Sequence, residues 1–218
     1  MKMNAQRNYQ KELDKIISGL NGRRPKLLLH ACCAPCSSYV LEYLSRYFQI
    51  TLFYYNPNIS PESEYRYRVA EVERLVAQML PESDVTVVEG RYDPERFAQA
   101  VQGLEGEPEG GKRCMVCYRL RLEETARQAQ ALGCEFFTTT LSISPLKNAR
   151  ALNEIGEALA PIYETRYLVS DFKKREGYKR SIQLSAEYQL YRQDYCGCIY
   201  SKLEREANKR RQSEKKAD

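Results

Sequence analysis

Seven of the eight cysteines in this 218-residue chain fall in three short groups, and only Cys134 stands alone. The groups are Cys32-Cys33-Ala34-Pro35-Cys36, Cys114-Met115-Val116-Cys117 and Cys196-Gly197-Cys198. Thiolates at such short spacing bind soft metals or exchange electrons as thiol and disulfide. Because the chain has a single histidine, His30, any metal site must be built mainly from thiolate. That donor set suits zinc or an iron–sulfur cluster.

The compartment of the protein decides whether these cysteines form a disulfide framework. Residues 1–20 are charged and amphipathic, and they lack the apolar core of a secretory signal. No apolar run in the sequence reaches the length of a membrane span. We therefore expect a cytoplasmic protein without a membrane partner, in which clustered cysteines are metal ligands or redox thiols.

The first two cysteine groups admit more than one metal site. One set of four thiolates, the complement of a [4Fe–4S] cluster or a structural zinc, is Cys32, Cys33, Cys114 and Cys117. Adjacent cysteines can reach one metal only where the backbone bends, and a turn after a strand provides that bend. Cys33 and Cys36 form a competing pair with ligand or redox spacing. A structural zinc with bystander thiols is the alternative for all seven cysteines.

The third group differs from the others because a disulfide between Cys196 and Cys198 would close a very small ring. Strain makes such a disulfide easier to reduce, and the intervening glycine relieves the backbone. The spacing therefore favours a redox-active pair, with additional metal ligands as the alternative. We expect Cys134 to be a small buried hydrophobic residue. His30 is expected to be a structural residue placed where it could donate toward the metal group.

The patterning of apolar residues predicts the elements that position these groups. Short apolar or β-branched runs predict strands, and apolar residues at helical spacing predict helices. The predicted strands are 25–31, 49–55, 85–90 and 136–141, with 163–169 either a final strand or a loop. The predicted helices are 1–24, 37–47, 62–79, 93–101, 114–132, 148–159 and 181–192.

Strands that alternate with helices predict an α/β fold with a parallel sheet and right-handed crossovers. In such sheets ligands gather beyond the carboxyl ends of the strands, and the first cysteine group directly follows the first predicted strand. The length fits one domain over 1–218, with the helix 1–24 and the basic tail 205–218 peripheral. We expect the loop 103–111 and the segment after Glu204 to be mobile.

The formal net charge is only +5, but the basic residues concentrate late in the chain. There are six basic residues against two acidic ones from Arg166 to Arg180, and seven against four from Lys202 to Asp218. A basic face fits a polyanion such as RNA, although for the last stretch a solvated helix of mixed charge is the alternative. Neither G-x-x-x-x-G-K-[ST] nor G-x-G-x-x-G occurs, which counts against an ATP-driven function.

Several motifs occur in an order typical of one known family. They are Leu29-His30-Ala31-Cys32-Cys33-Ala34-Pro35-Cys36, Tyr55-Asn56-Pro57-Asn58-Ile59, Arg113-Cys114-x-x-Cys117-Tyr118-x-x-Arg121-Leu122, Thr138-Thr139-Thr140-Leu141-x-Ile143-Ser144-Pro145-x-Lys147-Asn148, Asp171-Phe172-Lys173-Lys174, Gly177-Tyr178, Ser181-Ile182-x-Leu184-Ser185 and Tyr191-Arg192-Gln193-x-Tyr195-Cys196-Gly197-Cys198. From about Lys26 to Leu203 the chain resembles the cobalamin-independent, iron–sulfur epoxyqueuosine reductase family.

The resemblance implies an enzyme that removes the epoxide oxygen from epoxyqueuosine at the wobble position of tRNA, giving queuosine and water. It implies a Rossmann-like sheet of the nucleotide α-hydrolase type with a cysteine-rich helical C-terminal part. The implied [4Fe–4S] ligands are Cys32, Cys33, Cys114 and Cys117. Cys196 and Cys198 would form the redox-active pair. The role of Cys36 stays open, including ligation of an additional mononuclear iron.

The implied partners are the tRNA anticodon loop and an external electron donor. Candidate substrate contacts are Asn56, Asn58, Lys147, Asn148, Lys173, Lys174 and Tyr178, since single-stranded loops are recognised by stacking, base-edge contacts and backbone charge. Each also has a structural interpretation, such as the two asparagines flanking a proline turn. Two other functions remain as alternatives: a zinc-stabilised RNA-binding module, and an ATP-dependent or sulfur-transfer tRNA-modifying enzyme.

Overall fold

Five parallel strands form one sheet in the order β3-β2-β1-β4-β5. The computed structural model describes residues 7–83 and 85–217, with side chains through 213. The strands are β1 (Lys26–His30), β2 (Gln49–Tyr54), β3 (Thr86–Glu89), β4 (Phe136–Thr139) and β5 (Arg166–Tyr167). The strand order reverses between β1 and β4, as in a Rossmann-type sheet, and this is where such sheets bind ligands. The predicted parallel α/β fold is confirmed.

Helices cover both faces of this sheet. They are α1 (Tyr9–Ser18), α2 (Ala34–Leu44), α3 (Glu62–Met79), α4 (Pro94–Ala100), α5 (Lys112–Ala131), α6 (Ala149–Leu159), α7 (Gly177–Glu187) and α8 (Ile199–Ala217). Leu27 and Leu29 enter a core with residues of α2 and α3, whereas Leu28 enters a second core with residues of α5 and α6. Successive strand residues point to opposite faces, so β1 is apolar on both. No described helix is both long and apolar enough to cross a membrane.

The predicted strand boundaries shift where side chains bond the backbone. The strand predicted over 136–141 ends at Thr139, whose hydroxyl accepts the N–H of Leu141 at 3.1 Å and begins a turn of 3-10 helix over Thr140–Ile143. The ambiguous segment 163–169 contains the two-residue strand β5. At the N-terminus, Asn8 caps α1 by accepting the N–H of Lys11, and residues 1–6 of the predicted helix lie outside the described residues.

The helix predicted over 181–192 begins and ends earlier, at Gly177 and Glu187. Arg74 of α3 donates to the carbonyl oxygens of Tyr188 and Gln189 at 3.0 and 3.3 Å, and this capture holds the chain after α7 out of the helix. The C-terminal segment is the helix α8, which matches the interpretation as a helix of mixed charge. In the loop 103–111, Arg113 donates to the carbonyl oxygens of Leu104, Glu105 and Glu107.

Candidate active site

The turn after β1 places the first cysteine group at the carboxyl edge of the sheet. The backbone N–H of Cys32 donates to the hydroxyl of Thr140, which follows β4, at 3.2 Å. Cys33 then occupies the N-cap position of α2, and Cys36 lies in the first turn of that helix. The group therefore sits where the strand order reverses, and it also lies at the positive end of a helix dipole.

The bend in this turn brings three sulfur atoms together. The Sγ atoms of Cys32 and Cys33 are 3.8 Å apart, and those of Cys32, Cys33 and Cys36 all lie within 4.8 Å of one another. Hydrogen bonds from the Cys32 and Cys36 thiols hold the pKa of Cys33 well below its usual value. The same interaction raises the pKa of Cys32 to about 12 and that of Cys36 well above its usual value. Three sulfur atoms this close could bind one metal cation, which would replace their thiol protons.

The other two groups meet around an adjoining cavity. Cys114 and Cys117 lie in the first turns of α5, and Cys196 and Cys198 lie in the segment before α8. All four line a small cavity together with Asn58 and Tyr118, whose side-chain oxygens are buried without a described partner. All eight cysteines lie in the described part of the chain, and all are free thiols.

A larger cleft of about 330 Å³ opens beside this cavity. Its walls include the sulfur-bearing residues Cys32, Cys33, Cys36 and Cys196. Cys196, Glu109 and Arg121 line both the cleft and the smaller cavity, so the two spaces adjoin. The structure therefore gathers all seven clustered cysteines around one site, while Cys134 is buried in the second core as predicted.

Arg121 is a buried cation at the centre of this site. Its Nη2 donates to the side-chain oxygen of Asn56, and it contacts the thiol of Cys117, one helical turn earlier on α5. Burial lowers the pKa of Arg121, but the nearby thiols, first that of Cys117, raise it above its usual value. Within residues 7–83 and 85–213, no carboxylate forms an ion pair with it. A buried arginine needs a counter-charge, and cysteines that bind a metal as thiolates would supply it here.

No role for Arg121 was predicted from the sequence, although its spacing carried a signal. Side chains at positions i and i+4 of a helix share one face, so Arg121 had to lie on the same face as Cys117. A basic residue so placed beside a predicted ligand is a candidate for charge balance. The sequence pattern alone did not show that this face would be buried.

His30 has both ring nitrogens engaged away from the sulfur atoms. Nδ1 lies 2.8 Å from the hydroxyl of Thr139, and Nε2 lies 3.0 Å from the carbonyl oxygen of Tyr55. Nε2 also lies 3.3 Å from the guanidinium Nε of Arg121, which donates toward it. Complete burial and the charge of Arg121 hold its pKa well below the usual value. His30 is therefore a buried structural residue, and its link to the thiols runs through Arg121.

The predicted substrate contacts divide into buried and accessible residues. Asn56 and Asn58 are only 1% and 2% exposed. The amide of Asn56 donates to the carbonyl oxygen of Ala31 at 2.9 Å and its oxygen accepts from Arg121, so it supports the site from within. Lys147 is also buried, and its Nζ lies 2.5 Å from the Glu109 carboxylate at the wall of the cleft.

The accessible candidates are spread along the rim of the cleft and beyond it. Tyr178 is 37% exposed and lines the cleft directly. Lys173 is half-buried, with Nζ 3.1 Å from the carbonyl oxygen of Ser142, whereas Lys174 is exposed. Asn148 is exposed as well, but its side chain caps α6 by accepting the N–H of Ala151. Of these four, only Tyr178 faces the cleft in the structure.

A second buried arginine, Arg68, fixes the Cys196-Gly197-Cys198 turn, and it too lacked a predicted role. Its Nη1 donates to the carbonyl oxygen of Cys196 at 3.2 Å, and its Nε pairs with Glu64 at 2.7 Å. Gly197 has a φ of +117°, and an added Cβ would lie 2.9 Å from Ile59 and 3.0 Å from Arg68. Only glycine fits this position without displacing the turn.

Comparison with known proteins gives a consistent result. A family model described as "Epoxyqueuosine reductase QueH" matches residues 27–204. Proteins of the same name from several bacteria are similar to this chain. The protein from Streptococcus pyogenes serotype M1 is 46% identical over 180 residues, covering 82% of this chain and 71% of the relative. The protein from Staphylococcus epidermidis is 44% identical over 206 residues, which cover 92% of this chain and 87% of the relative. The protein from Thermotoga maritima is 36% identical over 185 residues, which cover 82% of this chain and 91% of the relative.

Proposed function

Because the chain belongs to the epoxyqueuosine reductase family QueH, and is therefore an oxidoreductase, we propose that it converts epoxyqueuosine to queuosine in tRNA. The reaction would remove the epoxide oxygen of the wobble nucleotide as water. One observation supports this most directly: three separate cysteine groups converge on a cleft at the carboxyl edge of the sheet. A cytoplasmic location and a sheet of the nucleotide α-hydrolase type belong to the same proposal.

The donor set fits an iron–sulfur cofactor. We propose that a [4Fe–4S] cluster is held by Cys32, Cys33, Cys114 and Cys117, and that Cys36 is available for an additional iron. Support comes from the Cys32 and Cys33 sulfur atoms, 3.8 Å apart, and from Cys114 and Cys117, which line the adjoining cavity. Arg121, a buried cation that needs anions nearby, supports it too. When bound, such a cluster would supply single electrons, and an iron with an open position would polarise an oxygen as a Lewis acid.

The Cys196 and Cys198 thiols would balance the reaction. Their oxidation to a disulfide releases two electrons and two protons. Deoxygenation consumes the same number: both C–O bonds of the epoxide break, a C=C bond forms, and the oxygen leaves as water. An external two-electron donor would then reduce the disulfide and complete the cycle. Cys196 lines both the cleft and the smaller cavity, which suits a thiol that passes electrons between them.

The walls of the cleft offer groups that suit an unpaired anticodon nucleotide. The exposed ring of Tyr178 would stack on a base, and stacking is the usual means of holding a splayed RNA base. Lys147 would present positive charge at the wall: burial lowers its pKa, but Cys196 and Glu109 together raise that pKa above its usual value. Asn148, Lys173 and Lys174 would contact flanking RNA, and Asn56 and Asn58 would act indirectly from their buried positions.

Family membership favours this function over the two alternatives. A zinc-stabilised RNA-binding module would have no need of a redox pair. An ATP-dependent or sulfur-transfer enzyme would need a phosphate site at the start of α2. That position is taken by Cys33 and Cys36, with proline rather than glycine in the turn.

The test is to purify the protein without oxygen, measure bound iron and acid-labile sulfide, and add tRNA carrying epoxyqueuosine. We expect about four irons and four sulfides per chain, and queuosine in the digested tRNA after addition of a reductant. Conversion should not depend on ATP. A colourless protein that contains only zinc and leaves the epoxide intact would contradict the proposal.

A further inference from the structure

Helix α8 is one of the two stretches of the chain in which positive charge concentrates. Over Ile199–Ala217 there are seven lysines and arginines against three glutamates. Lys202, Arg205 and Lys209 are spaced by three and four residues, so they share one face of the helix. They are separated along the helix axis by about 4.5 and 6 Å. The family model ends at residue 204, so most of this helix lies outside it.

This basic face adjoins the cleft. Arg205 lines the cleft itself, as does Asp194, which accepts from Arg205 at 3.5 Å and from Lys209 at 2.5 Å. Arg192 is exposed on the same wall. Charged residues lining the cleft are Arg121, Lys147, Arg192 and Arg205, against Glu109 and Asp194. Positive charge therefore continues from the cleft onto the helix.

We propose that the face of α8 formed by Lys202, Arg205 and Lys209 binds the phosphate backbone of the RNA that flanks the nucleotide in the cleft. The inference rests on the proposed function for the identity of that nucleotide. A row of regularly spaced cations beside a cleft fits a polyanion that enters the cleft and continues along its rim. Arg205 and Lys209 remain half-exposed while they pair with Asp194, so their donors can reach a phosphate without unfolding any element.

An acidic protein, such as an electron donor, is the other kind of partner that a basic helix could bind. RNA is favoured because the face begins inside the wall of the cleft, where the substrate must lie, and no separate docking surface intervenes. Phosphate contacts of this kind position the RNA without reading its sequence. The contribution of α8 to affinity should therefore be equal for an unmodified and a modified anticodon stem-loop.

The experiment measures binding of a synthetic, unmodified anticodon stem-loop RNA to the anaerobically purified full chain over a series of salt concentrations. The test variant combines Lys202→Ala, Arg205→Ala and Lys209→Ala. Alanine is the strongest helix former, so α8 should persist, which circular dichroism would check. We expect affinity to fall by about tenfold or more near 0.1 M salt. The salt slope should fall by about 0.7–0.9 for each phosphate that the variant no longer neutralises.

A matched control removes three exposed lysines outside α8, two on α1 and one at the start of β1, in the variant Lys11→Ala, Lys15→Ala and Lys26→Ala. It should bind RNA as the unmodified chain does. Asp194→Asn gives a change of opposite sign, because it removes a carboxylate that competes with phosphate for Arg205 and Lys209, and it should tighten binding. Equally weakened binding in the α8 and control variants, or unchanged binding in both, would overturn the inference.

Two further outcomes separate this inference from the proposed function. Salt-dependent RNA binding through α8 by a protein that leaves epoxyqueuosine unreduced would support the inference while the function fails. Conversely, reduction of the tRNA with unchanged RNA affinity in the α8 variant would preserve the function and overturn the inference. If that variant instead lost only its response to an acidic protein reductant, the helix would serve that partner and the inference would be wrong.

Discussion

The guanidinium of Arg68, on α3, donates a hydrogen bond of 3.2 Å to the carbonyl oxygen of Cys196, far along the chain. The backbone N–H of Ser60 also donates to the carbonyl oxygen of Gly197, at 3.0 Å. These two bonds fasten the thiol pair to the segment around the start of α3. The position of the pair over the site therefore depends on a residue that contacts neither thiol.

Arg68→Gln should impair turnover without removing the cofactor. The shorter side chain cannot reach both Glu64 and Cys196, and the loss of a buried ion pair should cost about 3 kcal/mol of folding stability. We expect turnover with tRNA to fall at least tenfold while iron content is retained. Alkylation of Cys196 and Cys198 should become faster, as measured by mass spectrometry. Arg66→Gln, on the exposed side of the same helix, is the control. Unchanged alkylation rates would show that Arg68 does not hold the turn.

Replacing either cysteine of the pair by serine should separate cofactor binding from catalysis. Since neither Cys196 nor Cys198 is a proposed cluster ligand, Cys196→Ser and Cys198→Ser should keep the visible absorbance of the loaded protein. Turnover with tRNA should be abolished, because a single thiol cannot form the disulfide. Cys134→Ala, in the second core, should retain activity. Normal turnover by either serine variant would exclude the redox-pair role.

Arg121→Met should lower the stability of the metal-loaded protein more than that of the metal-free protein. In the loaded form the arginine balances the negative charge of the thiolates, whereas in the metal-free form it is a buried cation with fewer anions nearby. We expect less iron per chain and a reduction potential more negative by roughly 60 mV or more, the one-electron equivalent of a tenfold change. Arg127→Met, an exposed position on the same helix, should change neither quantity. If Arg121→Met lowered the melting temperature of the loaded and the metal-free protein equally, Arg121 would have only a structural role.

Glu71 should make the folding stability of the protein fall at acid pH. Arg74 donates to its carboxylate, and this lowers its pKa below the usual 4.5; Tyr191 also donates its N–H at 3.0 Å. A group whose pKa is lowered on folding stabilises the protein above its unfolded pKa, and that contribution is lost as pH falls through the folded pKa. Stability should therefore decline below about pH 4.5. In Glu71→Gln the proton uptake on unfolding should be smaller by up to about one proton.

Urea unfolding of metal-free protein between neutral and acid pH would measure this uptake. The variant Glu73→Gln, at an exposed position on the same helix, serves as the control and should follow the parent protein. If Glu71→Gln has the same pH dependence as the parent, the carboxylate is not the group that responds to acid.

The fold and the positions of the cysteine groups follow from local pattern. Apolar or β-branched runs, alternating with helical periodicity, predicted all four of the longer strands and the parallel sheet. The rule for ligand sites predicted the edge at which Cys32 and Cys33 lie. The convergence of the three groups could be anticipated because each group adjoins the end of a strand or helix.

The buried arginines could not be predicted in the same way. The spacing of polar residues on their helices predicts that Arg68 and Arg121 are exposed to solvent. Tertiary packing instead buries both side chains beside the thiols. The boundaries of α7 were missed for a related reason. Arg74, on a helix more than a hundred residues earlier, donates a hydrogen bond to the carbonyl oxygen of Tyr188. The residue pattern within 181–192 cannot predict that contact.

Helix α8 starts at the residue after Cys198, and this continuity has a mechanical consequence. The N–H of Ser201 donates to the Cys198 sulfur at 3.4 Å, and the N–H of Lys202 donates to the Cys198 carbonyl at 3.2 Å. An α-helix is stiff along its axis, so a push on its distal turns is transmitted to the first one. A displacement of the far end of α8 would therefore move the Cys198 sulfur, so the orientation of the helix and the placement of that sulfur are coupled.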